Sequence, residues 1–91
     1  MRFEWDEAKR LSNLRCHGFD FADAEEVIAG ETSTFLDDRF DYGEIRWLTF
    51  GMLNGKVVAI AHRETDEVIR IISIRKALKN EEESYFKKIR D

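Results

Sequence analysis

The sequence predicts an α+β domain in which two N-terminal helices precede a four-stranded antiparallel sheet and a third helix ends the chain. Two short segments near the N-terminus have helical apolar spacing, Asn54-Gly55 separates two apolar runs, and residues 68–75 are rich in β-branched side chains. Connections between the expected strands are short, which favours an antiparallel meander. A chain of 91 residues suits one hydrophobic core, so we expect a single domain over residues 1–91.

The first helix is predicted over residues 7–17. Asp6 precedes it, and its side chain is suited to cap the free N–H groups of a helix start. Gly18 follows it and suits the left-handed conformation that commonly ends a helix. The apolar positions recur at three-residue steps: Ala8, Leu11 and Leu14. We therefore expect these three to form the face that packs on the sheet.

A second helix is predicted between Asp20, a suitable N-cap, and Gly30, a suitable stop. Its apolar face consists of Phe21, Ala24, Val27 and Ile28. The gap between the two helices is short, so we expect them to be neighbours in space.

Four strands are predicted, at residues 32–36, 45–53, 56–63 and 68–74, with the charged segment 37–44 as a loop. Asn-Gly between two apolar runs indicates a type I′ hairpin turn, because both central residues of that turn have positive φ. The final helix is predicted over residues 78–90, with an apolar stripe of Leu78, Tyr85, Phe86 and Ile89.

The net charge of −4 argues against a simple nucleic-acid-binding domain. The charge is unevenly distributed, however. Residues 70–91 carry seven Lys/Arg and four Asp/Glu, whereas residues 1–69 carry eight and fifteen. A nucleic acid would therefore have to meet a local basic patch near the C-terminus, although a basic helix face is also ordinary for a solvated surface.

Cysteine and acidic residues give no sign of a disulfide or a metal site. Cys16 is the only cysteine, and no cluster has zinc-ligand spacing. Asp37, Asp38 and Asp41 lack the ligand count and turn glycine of a calcium loop. No apolar run reaches membrane-spanning length and no signal peptide is evident, so we expect a cytoplasmic protein without membrane association.

Three arginines lie in or beside the last two predicted strands: Arg63, Arg70 and Arg75. Guanidinium groups suit the binding of phosphate and the stabilisation of a phosphorane-like transition state. The alternative is an ion pair with a carboxylate such as Glu44 or Glu64. Because side chains alternate along a strand, Arg70 and Arg75 point to opposite faces unless the chain bends near Ser73.

Lys9, Asn13 and His17 recur at four-residue steps and form one polar stripe along the first helix. Lys9 could contact a phosphate, and His17 could carry a proton near neutral pH. Alternatively, His17 favours the helix C-terminus as a cation, and Asn13 ties down the following loop.

His62 and Glu64 flank Arg63 and could form an acid–base pair, on the opposite face of the strand from Arg63.

Together these residues closely resemble the BrnT family of bacterial toxins, from residue 3 to Tyr85. The most specific element is Arg70-Ile71-Ile72-Ser73 followed by Arg75-Lys76-Ala77, and the opening Trp5-Asp6 with Lys9 and Asn13 is next. The other matching elements are Phe3-Glu4, His17-Gly18, Asp38, Arg39, Tyr42-Gly43-Glu44 and Arg46.

The resemblance implies a RelE-like ribonuclease toxin of a type II toxin–antitoxin pair. Such a toxin cleaves RNA without a metal or other cofactor and is neutralised by a cognate antitoxin. The antitoxin typically carries a ribbon-helix-helix DNA-binding part, and the complex represses its own operon. Operator DNA would thus be met only through the antitoxin complex. We also expect an apolar surface for the antitoxin, with Trp47 as a candidate.

The leading hypothesis is a metal-independent endoribonuclease. Arg70 and Arg75 would bind the scissile phosphate with help from Arg63, and His62, His17 or Glu64 would move protons. The ribose 2′-OH would be the nucleophile and leave a 2′,3′-cyclic phosphate. The residues expected to bind substrate are Lys9, Asn13, His17 and Lys76. The alternative is a toxin-like module that binds an antitoxin or repressor without catalysis, and a third possibility is an unrelated structural domain.

Overall fold

A five-stranded sheet organises the fold in a computed structural model, which describes residues 1–90. The strands are β1 (Arg2–Glu4), β2 (Ser33–Leu36), β3 (Trp47–Leu53), β4 (Lys56–Glu64) and β5 (Val68–Lys76). Their order across the sheet is β1-β5-β4-β3-β2. The pairs β2–β3, β3–β4 and β4–β5 are antiparallel, while β1 lies parallel to β5.

The predicted antiparallel meander is confirmed for β2 to β5, but the prediction of four strands was wrong because it omitted β1. Three residues are too few to show the period-two pattern of a strand. β1 exists because β5 offers it an edge, with Phe3 in register with Ile69. The sheet is therefore mixed, and β5 has a neighbour on both sides at its N-terminal end.

The helices are α1 (Glu7–His17), α2 (Ala24–Ala29) and α3 (Lys79–Arg90). Asp6 accepts the Lys9 N–H at 3.0 Å at the start of α1, and Gly18 ends the helix with φ of 77°. Asp20 caps the next segment as predicted, but that segment opens with a 3-10 turn, Phe21–Asp23, before α2. The helices thus begin and end close to the predicted residues, except that the second helical segment begins with a 3-10 turn.

The face that α1 presents to the sheet differs from the predicted one. Leu11 and Leu14 remain 42% and 38% exposed, whereas Asn13 is 8% exposed. The Asn13 amide donates to the Ile74 carbonyl at 2.9 Å and accepts the Ile74 N–H at 3.1 Å. It also donates to the Phe19 carbonyl at 3.1 Å. We call this arrangement the Asn13 clamp.

The Asn13 clamp explains why an amide is buried where the pattern predicted leucine. β1 pairs with β5 only as far as Arg70, so the outer edge of β5 beyond that residue has no strand partner. Backbone N–H and C=O groups that are buried without partners are costly. The Asn13 side chain carries one acceptor and one donor group, and therefore completes the strand edge as a neighbouring strand would.

Apolar layers cover both faces of the sheet. One layer joins the 3-10 turn and α2 to the sheet and includes Phe21, Val27 and Ile60. The other lies under α3 and includes Phe50 and Tyr85. The hairpin between β3 and β4 has φ of 52° at Asn54 and 78° at Gly55, which confirms the predicted type I′ turn.

Among the described residues, no helix has both the length and the apolar character required to cross a bilayer.

Candidate active site

A β-bulge in β5 brings the predicted arginines to one face of the sheet. The register of β4 and β5 shifts, so that Ala61 pairs with Ser73 and His62 pairs with Ile71. Ile72 is thus the extra residue. Arg70 pairs with Arg63, and Arg75 pairs with Ala59, four residues earlier on β4. Positions four apart on a regular strand share a face, so all three arginines lie on the face that carries α3.

Charged side chains form a row across the sheet at the edge where β4 ends and β5 begins. Glu4, Arg70 and Arg63 are register neighbours on β1, β5 and β4. Arg70 Nη1 lies 3.2 Å from Glu4 Oε1, and Arg63 Nη1 lies 3.0 Å from Glu44 Oε1. Glu44 also accepts from Arg46 Nε at 2.8 Å. These five residues are called the charged row.

The charged row borders an open cleft of about 510 Å³. Its lining includes Arg2, Glu4, Ile45, Arg63, Glu64 and Arg70. No carboxylate within residues 1–90 lies within 4.0 Å of the Arg2 guanidinium, so Arg2 adds an unneutralised charge. Arginines outnumber glutamates in the lining, and the cleft, which we call the arginine cleft, is suited to bind an anion such as a phosphate diester.

Arg70 is not the buried charge that its apolar strand suggested. Its side chain is 34% exposed and that of Glu4 is 45% exposed. An ion pair this accessible to water contributes little to stability. Both residues can therefore exchange partners with a ligand at small cost to the fold.

Arg75 lies outside the arginine cleft and holds the start of α3. Its guanidinium group donates to both oxygens of Glu81, at 2.7 Å and 3.0 Å. The same carboxylate accepts the Leu78 N–H at 2.8 Å, as in half of a capping box. Arg75 lowers the pKa of Glu81, so the pair stays charged at neutral pH. Lys76 next to it is exposed at the end of β5.

His62 is 2% exposed and points away from the charged row, as the strand alternation predicted. Its Nε2 lies 2.7 Å from the Thr49 hydroxyl, which in turn lies 2.8 Å from that of Thr34. Nδ1 lies 3.5 Å from Glu64 Oε1 and makes no hydrogen bond within residues 1–90. Burial lowers the pKa of His62, so the neutral ring belongs to the core.

Lys9, Asn13 and His17 line a second groove, between α1 and Ile72 of the bulge. Asn13 is committed to the Asn13 clamp, which agrees with the structural alternative for this residue. Lys9 and His17 are exposed on the groove surface. Of the predicted site residues, Arg63, Glu64 and Arg70 line the arginine cleft, and Lys9, Asn13 and His17 line this groove. Arg75, Lys76 and His62 line neither.

Sequence reasoning missed Arg2 and Glu4 because it did not recognise β1. The signal available for Glu4 was its place in the opening motif Phe3-Glu4-Trp5-Asp6. That motif indicated a shared feature but not a partner for Arg70, which is 66 residues away.

Residues 37–46 form a well-braced loop beside the cleft. The Asp37 carboxylate accepts from Arg39 at 2.8 Å and 3.0 Å and from the Tyr42 hydroxyl at 3.2 Å. The Asp37 N–H donates to the Arg46 carbonyl at 2.8 Å and closes the loop. Phe40 and Ile45 are each 68% exposed. They offer more free apolar surface than Trp47, which is half-buried.

These features define a small α+β protein whose open sheet end carries a cleft suited to phosphate. Residues 5–81 match the family described as "Ribonuclease toxin, BrnT, of type II toxin-antitoxin system". The match covers most of the chain, so the protein belongs to this family, as the sequence resemblance indicated. Its members are ribonuclease toxins that pair with an antitoxin. A search of curated proteins finds no match to the chain.

Proposed function

We propose that this protein is a metal-independent endoribonuclease toxin and that it cleaves RNA at the arginine cleft. The observation that carries the proposal is the register pairing of Arg63 with Arg70, which places two arginines at neighbouring positions on one face, both lining the cleft. Two neighbouring guanidinium groups match the two non-bridging oxygens of a phosphate diester. Arg2 adds a third positive charge at the rim.

The ion pairs of the charged row are compatible with substrate binding. Arg70 uses only Nη1 to reach Glu4, and Arg63 uses only Nη1 to reach Glu44. A guanidinium group has five N–H donors, so each arginine can bind a phosphate oxygen with the donors that remain. The glutamates then hold the arginines in position.

In the proposed reaction the ribose 2′-OH attacks the adjacent phosphorus and leaves a 2′,3′-cyclic phosphate. Arg63 and Arg70 stabilise the negative charge that grows on the phosphate oxygens. A base must remove the 2′-OH proton, and two carboxylates line the cleft: Glu4 and Glu64. No group of three or more potential metal-binding side chains occurs within residues 1–90, and none is needed for this route. Lys9, His17 and Lys76 are proposed to contact the RNA backbone beyond the cleft.

The proposal extends to the partners. We propose a cognate antitoxin with a ribbon-helix-helix part, which neutralises the toxin and brings the complex to operator DNA. Ile45 lines the cleft and Phe40 lies in the same loop, and their exposed apolar side chains support a protein partner at this loop. We propose that the protein acts on RNA in the cytoplasm.

A second candidate is an interaction module without catalytic activity, and two observations favour it. Each of the three predicted arginines already has a glutamate partner: Glu44 for Arg63, Glu4 for Arg70 and Glu81 for Arg75. His62, which directly precedes the cleft residue Arg63 in the chain, is buried. In this alternative the charged row serves only to present a surface to the antitoxin.

Arg70→Ala separates the two candidates. We expect this variant to fold, bind antitoxin and lose RNA cleavage by about a hundredfold to a thousandfold, the usual effect of removing one charge-stabilising donor. Arg70→Lys keeps the charge but loses the planar fork, and we expect partial activity. Arg15→Ala, an exposed arginine on α1, is the matched control and should cleave like the wild type.

Melting curves and cleavage assays are run on the same preparations, with a chelator present. A folded Arg70→Ala variant that cleaves at the wild-type rate argues against a catalytic cleft. Wild-type activity that disappears in chelator argues against the metal-free route. A folded wild type that never cleaves RNA but binds antitoxin supports the interaction module.

A further inference from the structure

Glu4 occupies a distinctive position in the arginine cleft. Its register partner is Arg70, whose own partner on β4 is Arg63, so one carboxylate stands at the end of a row of two arginines. The Glu4 side chain is 45% exposed and lines the cleft. It can therefore touch a ligand that both arginines hold.

The position of Glu4 is well defined despite this exposure. β1 pairs with β5, the Arg2 N–H donates to the Glu67 carbonyl at 2.8 Å, and Phe3 packs against the apolar core on the other face. Arg70 Nη1 donates to Glu4 Oε1, which leaves Oε2 without a hydrogen bond from residues 1–90. One oxygen is thus held by an arginine and the other is available to a substrate.

We propose that Glu4 is the general base of the RNA-cleavage reaction; this inference rests on the proposed function. A phosphate diester held between Arg63 and Arg70 brings the neighbouring ribose towards one end of the row. At the β1 end, the 2′-OH meets the free carboxylate oxygen of Glu4. A carboxylate within reach of the 2′-OH can accept its proton.

The reaction balances without any further reagent. Glu4 accepts the proton of the 2′-OH while the 2′ oxygen forms a new bond to phosphorus. The bond from phosphorus to the 5′ oxygen of the next nucleotide breaks, and water supplies the proton to that oxygen. The products are a 2′,3′-cyclic phosphate and a 5′-OH, and Glu4 returns its proton to solvent.

Other proton acceptors are less well placed. Glu64 also lines the cleft, but its register partner is Ile69 rather than an arginine, and its Oε1 lies 3.5 Å from His62 Nδ1. His62 is buried, and His17 lies at the separate groove beside α1. Glu44 is shared by Arg63 and Arg46, and Arg46 holds its pKa below the ordinary range. Of the two glutamates that line the cleft, Glu4 is the one in register with Arg70 and on the same face of the sheet.

Glu4→Gln tests the proposal because the amide oxygen can still accept from Arg70 while the base is lost. We expect the single-turnover cleavage rate to fall by about a hundredfold or more, the usual range for general-base catalysis. Binding of RNA carrying 2′-O-methyl groups, which cannot be cleaved, should be unchanged or tighter.

Glu67→Gln is the matched control, because Glu67 is exposed near β1 and the substitution removes the same charge as Glu4→Gln. It should cleave, bind and melt like the wild type. Glu4→Asp shortens the side chain by one methylene but keeps a carboxylate, so it should recover part of the activity lost in Glu4→Gln.

Three results overturn the inference. A Glu4→Gln variant that cleaves as fast as the wild type, or faster, makes Glu4 a mere competitor of the substrate for Arg70. Loss of cleavage in Glu64→Gln with normal cleavage in Glu4→Gln assigns the base to Glu64. A wild type that cleaves no RNA, with or without chelator, removes the proposed function and this inference together.

Discussion

The two ends of the β4–β5 ladder differ in how their polar side chains are paired and exposed. At one end, near the Asn54-Gly55 turn, the Asn13 clamp completes the strand edge, and Arg75 forms a bidentate ion pair with Glu81. At the other end lie the charged row and the arginine cleft, where pairs such as Arg70–Glu4 remain accessible to water. We call these the clamped end and the open end.

The contrast shows where this small protein places its stability and where it places its reactive groups. Buried polar groups with complete hydrogen bonding are costly to disturb, since removal of one partner leaves the other unsatisfied. Exposed ion pairs contribute little and exchange readily with solvent or ligand. The clamped end can therefore hold the sheet while the open end changes partners.

The largest expected effect is at the clamped end. Asn13→Ala leaves the Ile74 N–H, the Ile74 carbonyl and the Phe19 carbonyl without their side-chain partner. Each buried unsatisfied group costs about 1–3 kcal/mol, so we expect the free energy of unfolding to fall by about 3 kcal/mol or more in urea titrations. Ser12→Ala, at an exposed position one residue earlier, should change it by less than about 0.5 kcal/mol. Equal stability of the two variants would show that α1 does not brace β5.

The hairpin turn at the clamped end gives the next effect. Gly55 has φ of 78°, a conformation that β-branched residues resist, although its Cβ position is free of neighbours within 4 Å. Gly55→Val should therefore destabilise by roughly 1 kcal/mol or more through backbone strain alone. Asn54→Gly is the control, because glycine accepts the same turn, and should stay within about 0.5 kcal/mol. A thermal melt unchanged by Gly55→Val contradicts the turn assignment.

Arg75→Ala and Arg70→Ala compare the two ends directly. Loss of Arg75 removes two hydrogen bonds from Glu81, whose side chain is 18% exposed, and weakens the start of α3. We expect a cost of about 1–2 kcal/mol for Arg75→Ala and less than about 1 kcal/mol for Arg70→Ala. Denaturant titration of both variants under one set of conditions measures the difference. The reverse order of stability would mean that the charged row, and not Arg75, holds the sheet.

The smallest effect concerns pH. Burial lowers the pKa of His62 in the folded protein, so the unfolded chain binds the extra proton first. The stability associated with neutral His62 is present above about pH 6.5, the ordinary histidine value, and is lost as pH falls below it. Between pH 7.5 and pH 6 we expect a loss of less than about 1 kcal/mol, measured by urea titration at each pH.

His62→Gln removes this titration and should flatten the dependence between pH 7.5 and pH 6, whatever its effect on overall stability. The carboxylates with lowered pKa values, such as Asp37 and Glu81, begin to lose their contribution only in the acidic range below about pH 4.5. The two ranges are therefore separable. An unchanged slope in His62→Gln would show that another group titrates near neutrality.

Much of the fold followed from the sequence because its signals are local. Asp6 and Gly18 delimit α1 through bonds within four residues, and Asn54-Gly55 specifies its own turn. The candidate site followed less completely. Arg63 and Arg70 were recognised, and the match to the toxin family confirmed the functional class. Glu44 was named as a possible ion-pair partner, but Glu4 beside Arg70 and Glu81 beside Arg75 were not anticipated, because each comes from an element that only packing places beside the sheet.

What the sequence determined by itself was thus the order of helices and strands, the turn, the arginines and the family. Tertiary structure alone decided four further points. β1 pairs with β5, Asn13 rather than Leu11 or Leu14 faces the sheet, Ile72 forms a bulge, and Glu4 stands beside Arg70. The physical reason is common to all four. Each depends on a hydrogen bond, a strand register or an ion pair between residues that are far apart in the chain. Local sequence patterns do not show which distant residue will be the partner.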